Sequence, residues 1–133
     1  MLDMSKDGMR EFSRQGETGR LAERELLGEF VQTKQFRVAY EKIQREQGRV
    51  YDENVMELVR KYTVDDPTNP TKDFARELRL AVGELLGLDD LAMDRLKIFS
   101  TVNTDLDKHG VDAWMEFQHT MRGRIVVKFD VTI

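Results

Sequence analysis

The sequence predicts an α+β fold in which N-terminal helices precede a helix and a three-stranded antiparallel sheet. Up to residue 64, apolar residues recur at spacings of three, four and seven, which indicates amphipathic helices. The final residues alternate between apolar and polar, which indicates strands. Both prolines lie between these two patterns, in VDDPTNPTKD. We therefore expect one domain over residues 1–133, with a helical part at 1–64 and a helix plus sheet at 71–133.

Composition narrows the function classes. With 40% hydrophobic and 35% charged residues, the chain is typical of a water-soluble globular protein. It has no cysteine, which excludes disulfides and cysteine-ligated zinc, and its two histidines leave carboxylates as the main candidate metal ligands. The net charge of −4 arises in residues 65–133, with nine basic and thirteen acidic residues, which argues against strong non-specific nucleic-acid binding. The N-terminus lacks the apolar core of a secretory signal and no run could span a bilayer, so we expect a cytoplasmic protein.

Two helices are predicted before the prolines. The first runs from Arg20 to about Gln47, with Thr18 as a candidate cap and Gly48 as its end. Gly28 lies inside it and marks either a close packing point or a break. The second runs over about Asp52–Tyr62. We interpret their apolar stripes as core or oligomer surface.

A third helix is predicted after the prolines, over about Lys72–Leu86. Thr71 is its candidate cap and Gly87 its stop. Glu77 and Glu84 lie together on one flank of its apolar face. The residues of that face are Phe74, Leu78, Ala81, Val82 and Leu85.

Three strands are predicted to follow. LKIFSTV is the first, NTDLDKHG is a polar loop, and the other two cover about Val111–Gln118 and Arg124–Ile133. One face of the hairpin is apolar and predicts core, whereas the other is mostly charged. A five-residue loop, HTMRG, pairs Gln118 with Arg124 and places Asp112 opposite Asp130. A shift of the register by two residues keeps the faces and makes the aspartates diagonal neighbours.

The two aspartates need an explanation because like charges directly opposite one another cost up to about 1 kcal/mol. A proton on one aspartate, a cation such as Lys97 or Lys108, or a bound metal would each compensate. A divalent cation removes the repulsion most directly, since hard oxygen ligands at about 2.0–2.6 Å suit magnesium and calcium. The alternative is structural: Asp112 caps the loop, and fraying relieves Asp130.

The stretch STVNTDLDKHGVDAWMEF, followed by GRIVVKFDVT, resembles the PD-(D/E)XK nuclease superfamily. Members share a helix, three antiparallel strands, a second helix and a final strand. The resemblance implies a metal-dependent phosphodiester hydrolase that uses Mg²⁺ or Mn²⁺ and acts on DNA or RNA. It makes Asp112 and Asp130 the catalytic metal ligands and the Val131 carbonyl a third.

The resemblance also implies an acid from a helix. The helix directly before the strands offers Glu77 or Glu84, which we prefer on adjacency. The alternative is Glu23 in TGRLAERELLGEF, if the later helices are an insertion. For substrate, Trp114 could stack on a base, or the charged face could simply be solvated with this aromatic covering apolar surface. Phosphate contacts are available from Arg95, Lys97, Arg124 and Lys128.

Two features depart from the family pattern. Thr132 occupies the position of the catalytic lysine, and only Lys128, if it reaches back, could replace that lysine. The sequence also stops at Ile133, before a second helix and a final strand. These departures favour a rival function, a non-enzymatic protein that dimerises or binds a protein partner through its amphipathic helices. An exposed hairpin edge would likewise invite a second subunit, giving a homo-oligomer.

Overall fold

The computed structural model describes residues 22–131. Their elements confirm the predicted α+β class, with helices and one three-stranded antiparallel sheet. In chain order they are α1 (residues 22–27), α2 (Lys34–Gln47), α3 (Asp52–Tyr62), α4 (Asp73–Leu85), α5 (Asp90–Met93), β1 (Leu96–Ser100), α6 (Asp105–Lys108), β2 (Ala113–His119) and β3 (Gly123–Phe129).

The predicted long first helix is wrong in one respect, because it is interrupted after α1. Gly28 adopts a φ of 82°, a left-handed conformation that favours glycine, so the break is the correct alternative. The chain then crosses the end of β1, where the Phe30 N–H donates to the Val102 carbonyl at 2.8 Å. Thr33 caps α2 by accepting the Phe36 N–H, and Gly48 ends it as predicted. Thr18 lies outside the described residues.

The α4 helix differs from its prediction at its start. Its first turn has no side-chain cap, and the predicted cap Thr71 instead donates its hydroxyl to Asp65 at 2.8 Å. The predicted apolar face is only partly correct, since Leu78 and Val82 pack against the core whereas Leu85 is 86% exposed. The face that is buried consists of Ala75, Arg79 and Gly83.

One polar residue and one small residue, Arg79 and Gly83, explain why the buried face of α4 differs from the predicted one. The Arg79 guanidinium is buried because it donates to the carbonyl of Leu96 at 2.7 Å and to that of Met93. Gly83 lets the Met93 side chain approach so closely that a Cβ would collide with its sulfur. Close packing around a glycine and a satisfied arginine therefore add to the contacts of Leu78 and Val82, while Leu85 takes no part in the core.

The sheet has the order β1-β2-β3, and its hairpin register is the predicted one. Gln118 pairs with Arg124 and Trp114 with Lys128. The ladder ends at Phe129, one step before Asp130, so β3 is shorter than predicted, and residues 132–133 lie outside the described part. The turn therefore positions the two aspartates just beyond the paired region.

Helices cover both faces of β1 and β2. On one face α2 and α3 pack on Phe99 and Trp114, and on the other α4 packs on Leu96, Ile98 and Met115. The predicted solvated face is therefore wrong for β2, because Trp114 is fully buried and stacks on Phe99 with ring centroids 4.7 Å apart. On β3 the same face is solvated, since Arg124 and Lys128 are exposed. The helices of residues 22–131 are all too short or too polar to cross a membrane.

The predicted core face of the hairpin is only partly buried. Ala113 and Met115 are buried, as predicted. Ile125 and Val127 on β3 remain 41% and 60% exposed, because α4 lies over β1 and β2 rather than over β3. An apolar groove of about 530 Å³ results between α4 and β3.

Candidate functional site

Four carboxylates from four segments meet at one end of the sheet. Glu23 lies in α1, Asp107 in α6, Asp112 just before β2 and Asp130 just after β3. Oxygens of Glu23, Asp107 and Asp112 all lie within 4.8 Å of one another. The side chain of Asp112 also hydrogen-bonds with Asp130 and Asp107. We call these four residues the acidic cluster.

The backbone holds Asp112 in place at the end of the hairpin. Its N–H donates to the Phe129 carbonyl at 3.0 Å, and its carbonyl accepts the Thr101 N–H at 2.9 Å. Its Oδ2 accepts the Val131 N–H at 2.7 Å. Because the segment after β1, the last residue of β3 and the segment after β3 each contribute a bond, the position of Asp112 is set by the end of the sheet.

Asp107 owes its position to the loop between β1 and β2. The stretch NTDLDKHG is predicted as a polar loop, and within it Asp105–Lys108 form the short helix α6, capped by Thr104. The Thr104 hydroxyl donates to the Thr101 carbonyl at 2.7 Å, and the Asn103 N–H donates to Asp107 Oδ2 at 3.1 Å. The sequence prediction missed Asp107 as a site residue.

Burial and neighbouring acids dominate the electrostatics of Asp112. Its side chain is only 2% exposed. Desolvation, a hydrogen bond with Asp130 and the charge of Glu23 raise its pKa to about 8, although the Val131 N–H acts in the opposite direction. The cluster therefore keeps a proton at neutral pH as long as no cation replaces it.

A polar cleft of about 600 Å³ opens beside the acidic cluster. Glu23 and Asp107 form part of its wall. Arg24 and Lys108 also line the cleft and bring cationic groups next to the acids. Arg24 is about half exposed and pairs with Glu29 at 3.0 Å. The arrangement can hold a cation at the acids and an anion near the two basic side chains.

The structure separates the three predicted helical acids. Glu23, the less favoured alternative, joins Asp112 and Asp107. Glu77 and Glu84, which we preferred on adjacency, lie exposed on α4 and outside the acidic cluster. Adjacency in sequence was misleading because α4 packs on the sheet face opposite to Trp114.

The predicted substrate contacts lie elsewhere. Trp114 cannot stack on a base, because it is fully buried. Arg95 lies over the Phe117 ring at 5.3 Å, and Lys97 is paired in register with Glu116. Arg124 and Lys128 are exposed on β3. None of these four basic residues lines the cleft, although Lys128 lies on the same side of β3 as Asp130.

Comparison of the chain with protein-family models, with curated proteins and with solved structures gives no match. The resemblance to the PD-(D/E)XK superfamily therefore stays a prediction. What the structure contributes is the placement of Glu23 and Asp107 close to Asp112, with Asp130 as a side-chain partner of Asp112.

Proposed function

We propose that the protein is a metal-dependent hydrolase of nucleic-acid phosphodiester bonds and that the acidic cluster binds its divalent cation. One observation carries the proposal: four carboxylates from separate segments converge beside a polar cleft. Carboxylates held this close destabilise a fold unless something compensates their repulsion. A protein that assembles such a cluster through α1, α6 and the ends of a hairpin is suited to a ligand that needs negative charge.

The donor set fits a hard cation. Mg²⁺ and Mn²⁺ prefer carboxylate oxygens, and magnesium takes them at about 2.0–2.1 Å. Ligands on opposite sides of one ion are then separated by about 4 Å. The 4.8 Å limit within which oxygens of Glu23, Asp107 and Asp112 lie is compatible with one shared ion after small side-chain rotations. A bound divalent cation would neutralise phosphate charge and supply a nucleophilic water at neutral pH.

The residues of the chain divide the remaining tasks. Asp112 is the fixed ligand, since three backbone contacts hold it and its side chain is buried. Asp130 is exposed at the open side of the cluster and completes the ligand set toward substrate. We assign phosphate binding to Arg24 and Lys108, the cationic side chains in the cleft. In this proposal, a cationic side chain in the cleft takes over part of the role of the catalytic lysine of the PD-(D/E)XK superfamily, whose position Thr132 occupies.

Metal-dependent thermal stability tests the cation site. We expect Mn²⁺ to raise the melting temperature of the wild type and to have little effect on Asp112→Asn or Glu23→Gln. Glu84→Gln is the matched control, because Glu84 is exposed on α4 and should respond to metal like the wild type. Binding at about 100 times the dissociation constant would stabilise the fold by about 2.7 kcal/mol. An equal metal response in wild type and Asp112→Asn would contradict the proposal.

Cleavage assays test the reaction itself. Labelled single-stranded and double-stranded DNA and RNA are incubated with Mn²⁺ or Mg²⁺ and the protein, with chelator as a control. We expect chain cleavage by wild type and Glu84→Gln, and its loss in Asp112→Asn and Asp130→Asn purified in the same way. Metal binding without cleavage of any of these substrates would remove the hydrolase and leave a cation-binding protein.

A separate observation favours a second function, that of a non-enzymatic interaction protein. The groove between α4 and β3 is apolar and open, and Leu86 and Val127 at its walls are 57% and 60% exposed. Contiguous exposed apolar surface of this kind is typical of protein contacts. This surface lies on the sheet face opposite to Trp114, so the two functions are compatible.

A further inference from the structure

The two edges of the sheet differ in how their backbone groups are satisfied. On β1, the Ile98 N–H donates to the Pro67 carbonyl at 2.9 Å, and the Leu96 carbonyl accepts the Arg79 Nε–H at 2.7 Å. On β3, no residue in the described range 22–131 bonds to the outward backbone groups. The outer edge of β3 therefore offers unpaired donors and acceptors, which favour pairing with another strand.

The hydrogen bonds of β2 identify which β3 residues face outward. The Gln118 N–H donates to the Arg95 carbonyl, so even-numbered residues of β2 direct their backbone groups to β1. Odd-numbered residues of β2 therefore bond to their odd-numbered partners on β3, such as Val127 opposite Met115. Consequently Arg124, Val126 and Lys128 present their N–H and C=O groups at the open edge.

We propose that two copies of this chain associate by antiparallel pairing of their β3 strands about a two-fold axis at Val127. In this register, Val127 of one copy faces Val127 of the other, and Ile125 faces Phe129 of the other copy. Arg124 of each copy lies opposite Asp130 of the other. Val126 and Lys128 form a hydrogen-bonded pair, as their outward groups require. The dimer would have a continuous six-stranded sheet.

Charge selects this register over its neighbour. An axis at Val126 would also join outward-facing residues, but it would place Arg124 opposite Lys128 twice. Directly opposed like charges destabilise a strand pair, whereas opposite charges stabilise it. The axis at Val127 instead gives two Arg124–Asp130 pairs. An isologous interface joins the same surface of both copies, so the charges of β3 must complement those of a second β3.

The exposed apolar side chains of β3 also favour a second copy of this chain as the partner. Ile125 and Val127 are 41% and 60% exposed because the helices cover β1 and β2. In the proposed register these side chains meet their counterparts across the axis, and the apolar strip of each copy becomes continuous with that of the other. Arg124 of the second copy would also bring a cation to Asp130, at the open side of the acidic cluster.

Single cysteines test the register, because the chain contains none. In the proposed dimer, Val127 residues form a non-hydrogen-bonded pair with Cα atoms about 4.5 Å apart, which permits a disulfide. We expect Val127→Cys to form a covalent dimer under mild oxidation, on non-reducing gels. Val126→Cys and Ile125→Cys should stay largely monomeric. In the proposed register the two copies of residue 126 are offset by two positions along the paired strands, and the two copies of residue 125 are offset by four. Preferred cross-linking at residue 126 or 125 would overturn the proposal.

Association without cysteines provides an independent measurement. Sedimentation equilibrium of the wild type should show a monomer–dimer equilibrium, and Val126→Pro should weaken it at least tenfold by removing an outward N–H. Val126→Thr keeps the N–H and is the matched control. Circular dichroism checks that each variant is folded, which is expected because Val126 donates nothing to β2. A wild type that stays monomeric at the highest measurable concentration would overturn the dimer, whatever the metal assays show.

Discussion

Asp112, just before β2, and Glu116, within β2, are both buried, yet their surroundings differ. Glu116 is 9% exposed, and its Oε1 accepts the Trp114 indole N–H at 2.9 Å and the Arg60 Nε at 2.8 Å. Asp112 is 2% exposed, and its side chain bonds to one backbone N–H and to other carboxylates. Among residues 22–131, no basic side chain forms an ion pair with Asp112.

This difference separates a structural carboxylate from a candidate ligand. A buried charge is retained when an opposite charge and hydrogen bonds satisfy it, as Arg60 and Trp114 do for Glu116. Asp112 has instead a raised pKa and acidic neighbours, an arrangement common at functional sites. Burial alone does not distinguish Asp112 from Glu116, whereas their hydrogen-bond partners do.

The largest expected effect is the loss of the Glu116 carboxylate. Glu116→Leu removes the acceptor of the Arg60 Nε–H and of the buried Trp114 indole N–H, although Arg60 keeps its ion pair with Glu57. Breaking a buried pair by removing one partner costs about 3–5 kcal/mol. We expect the free energy of unfolding, measured with urea at neutral pH, to fall by this amount.

Glu116→Gln sharpens this test because it keeps the amide oxygen as an acceptor for Trp114 and removes only the charge. It should lose less stability than Glu116→Leu. If both variants unfold at the urea concentration of the wild type, Glu116 does not stabilise the fold and the contrast with Asp112 disappears.

Asp112 should show the opposite behaviour, since its charge destabilises the metal-free protein. Its pKa rises from 3.8 to about 8 on folding. Between these values the native state holds a proton that the unfolded state has released, so stability falls as the pH rises, by at most about 1.4 kcal/mol per pH unit. Asp112→Asn resembles the protonated form, and its stability should depend less on pH. Urea titrations without metal at several pH values between 4 and 8 measure this slope.

A second outcome of the same titration links it to the proposed function. Metal binding requires the deprotonated carboxylate, so Mn²⁺ should stabilise the wild type more at the alkaline end than at the acidic end. Parallel pH slopes for wild type and Asp112→Asn would show that Asp112 holds no excess proton in the native state.

The hairpin could be predicted because its determinants are local. Alternating residues set the faces, and the length of HTMRG sets the register that pairs Gln118 with Arg124. The proximity of Asp112 and Asp130 follows from that register. Burial of Trp114 and Glu116 could not be predicted, because it depends on α3 packing across the charged face. Alternation identifies an apolar face but carries no information about a helix that covers the other one.

The helical members of the acidic cluster show the same limit. Glu23 was only one of three alternatives, and choosing it requires knowing that Gly28 turns the chain across β1. Asp107 reaches the cluster through a loop held by Thr101, Asn103 and Thr104. The two acidic residues Asp105 and Asp107 are a sequence signal that this loop could contribute to the site. Which of them reaches Asp112 depends on the helical turn α6. Long-range packing, rather than residue type, decides which acids converge.

Asp105 offers a third kind of environment for a carboxylate and the smallest expected effect. It accepts the Tyr40 hydroxyl at 2.5 Å and so has a neutral donor as partner. Tyr40→Phe removes that donor and should reduce the free energy of unfolding by about 1.5 kcal/mol, the lower end for a hydrogen bond to a charged group, because both side chains are partly exposed. The hydrogen bond with Asp105, together with burial, raises the pKa of Tyr40 from 10.0 to about 12. This stabilisation is present below pH 10 and is lost as the pH rises toward 12, because the unfolded state ionises first.

Urea unfolding at neutral pH measures the loss of stability, and ultraviolet titration of the three tyrosines measures the shift. We expect the wild type to show a late-ionising tyrosine that Tyr40→Phe lacks, whereas Tyr51→Phe should retain it. An unchanged urea midpoint together with an unchanged titration would show that Tyr40 does not bond to Asp105 in solution. Asp105 would then need another partner, and α6, which carries Asp107 into the acidic cluster, would be held by its threonine contacts and by the buried Leu106 side chain.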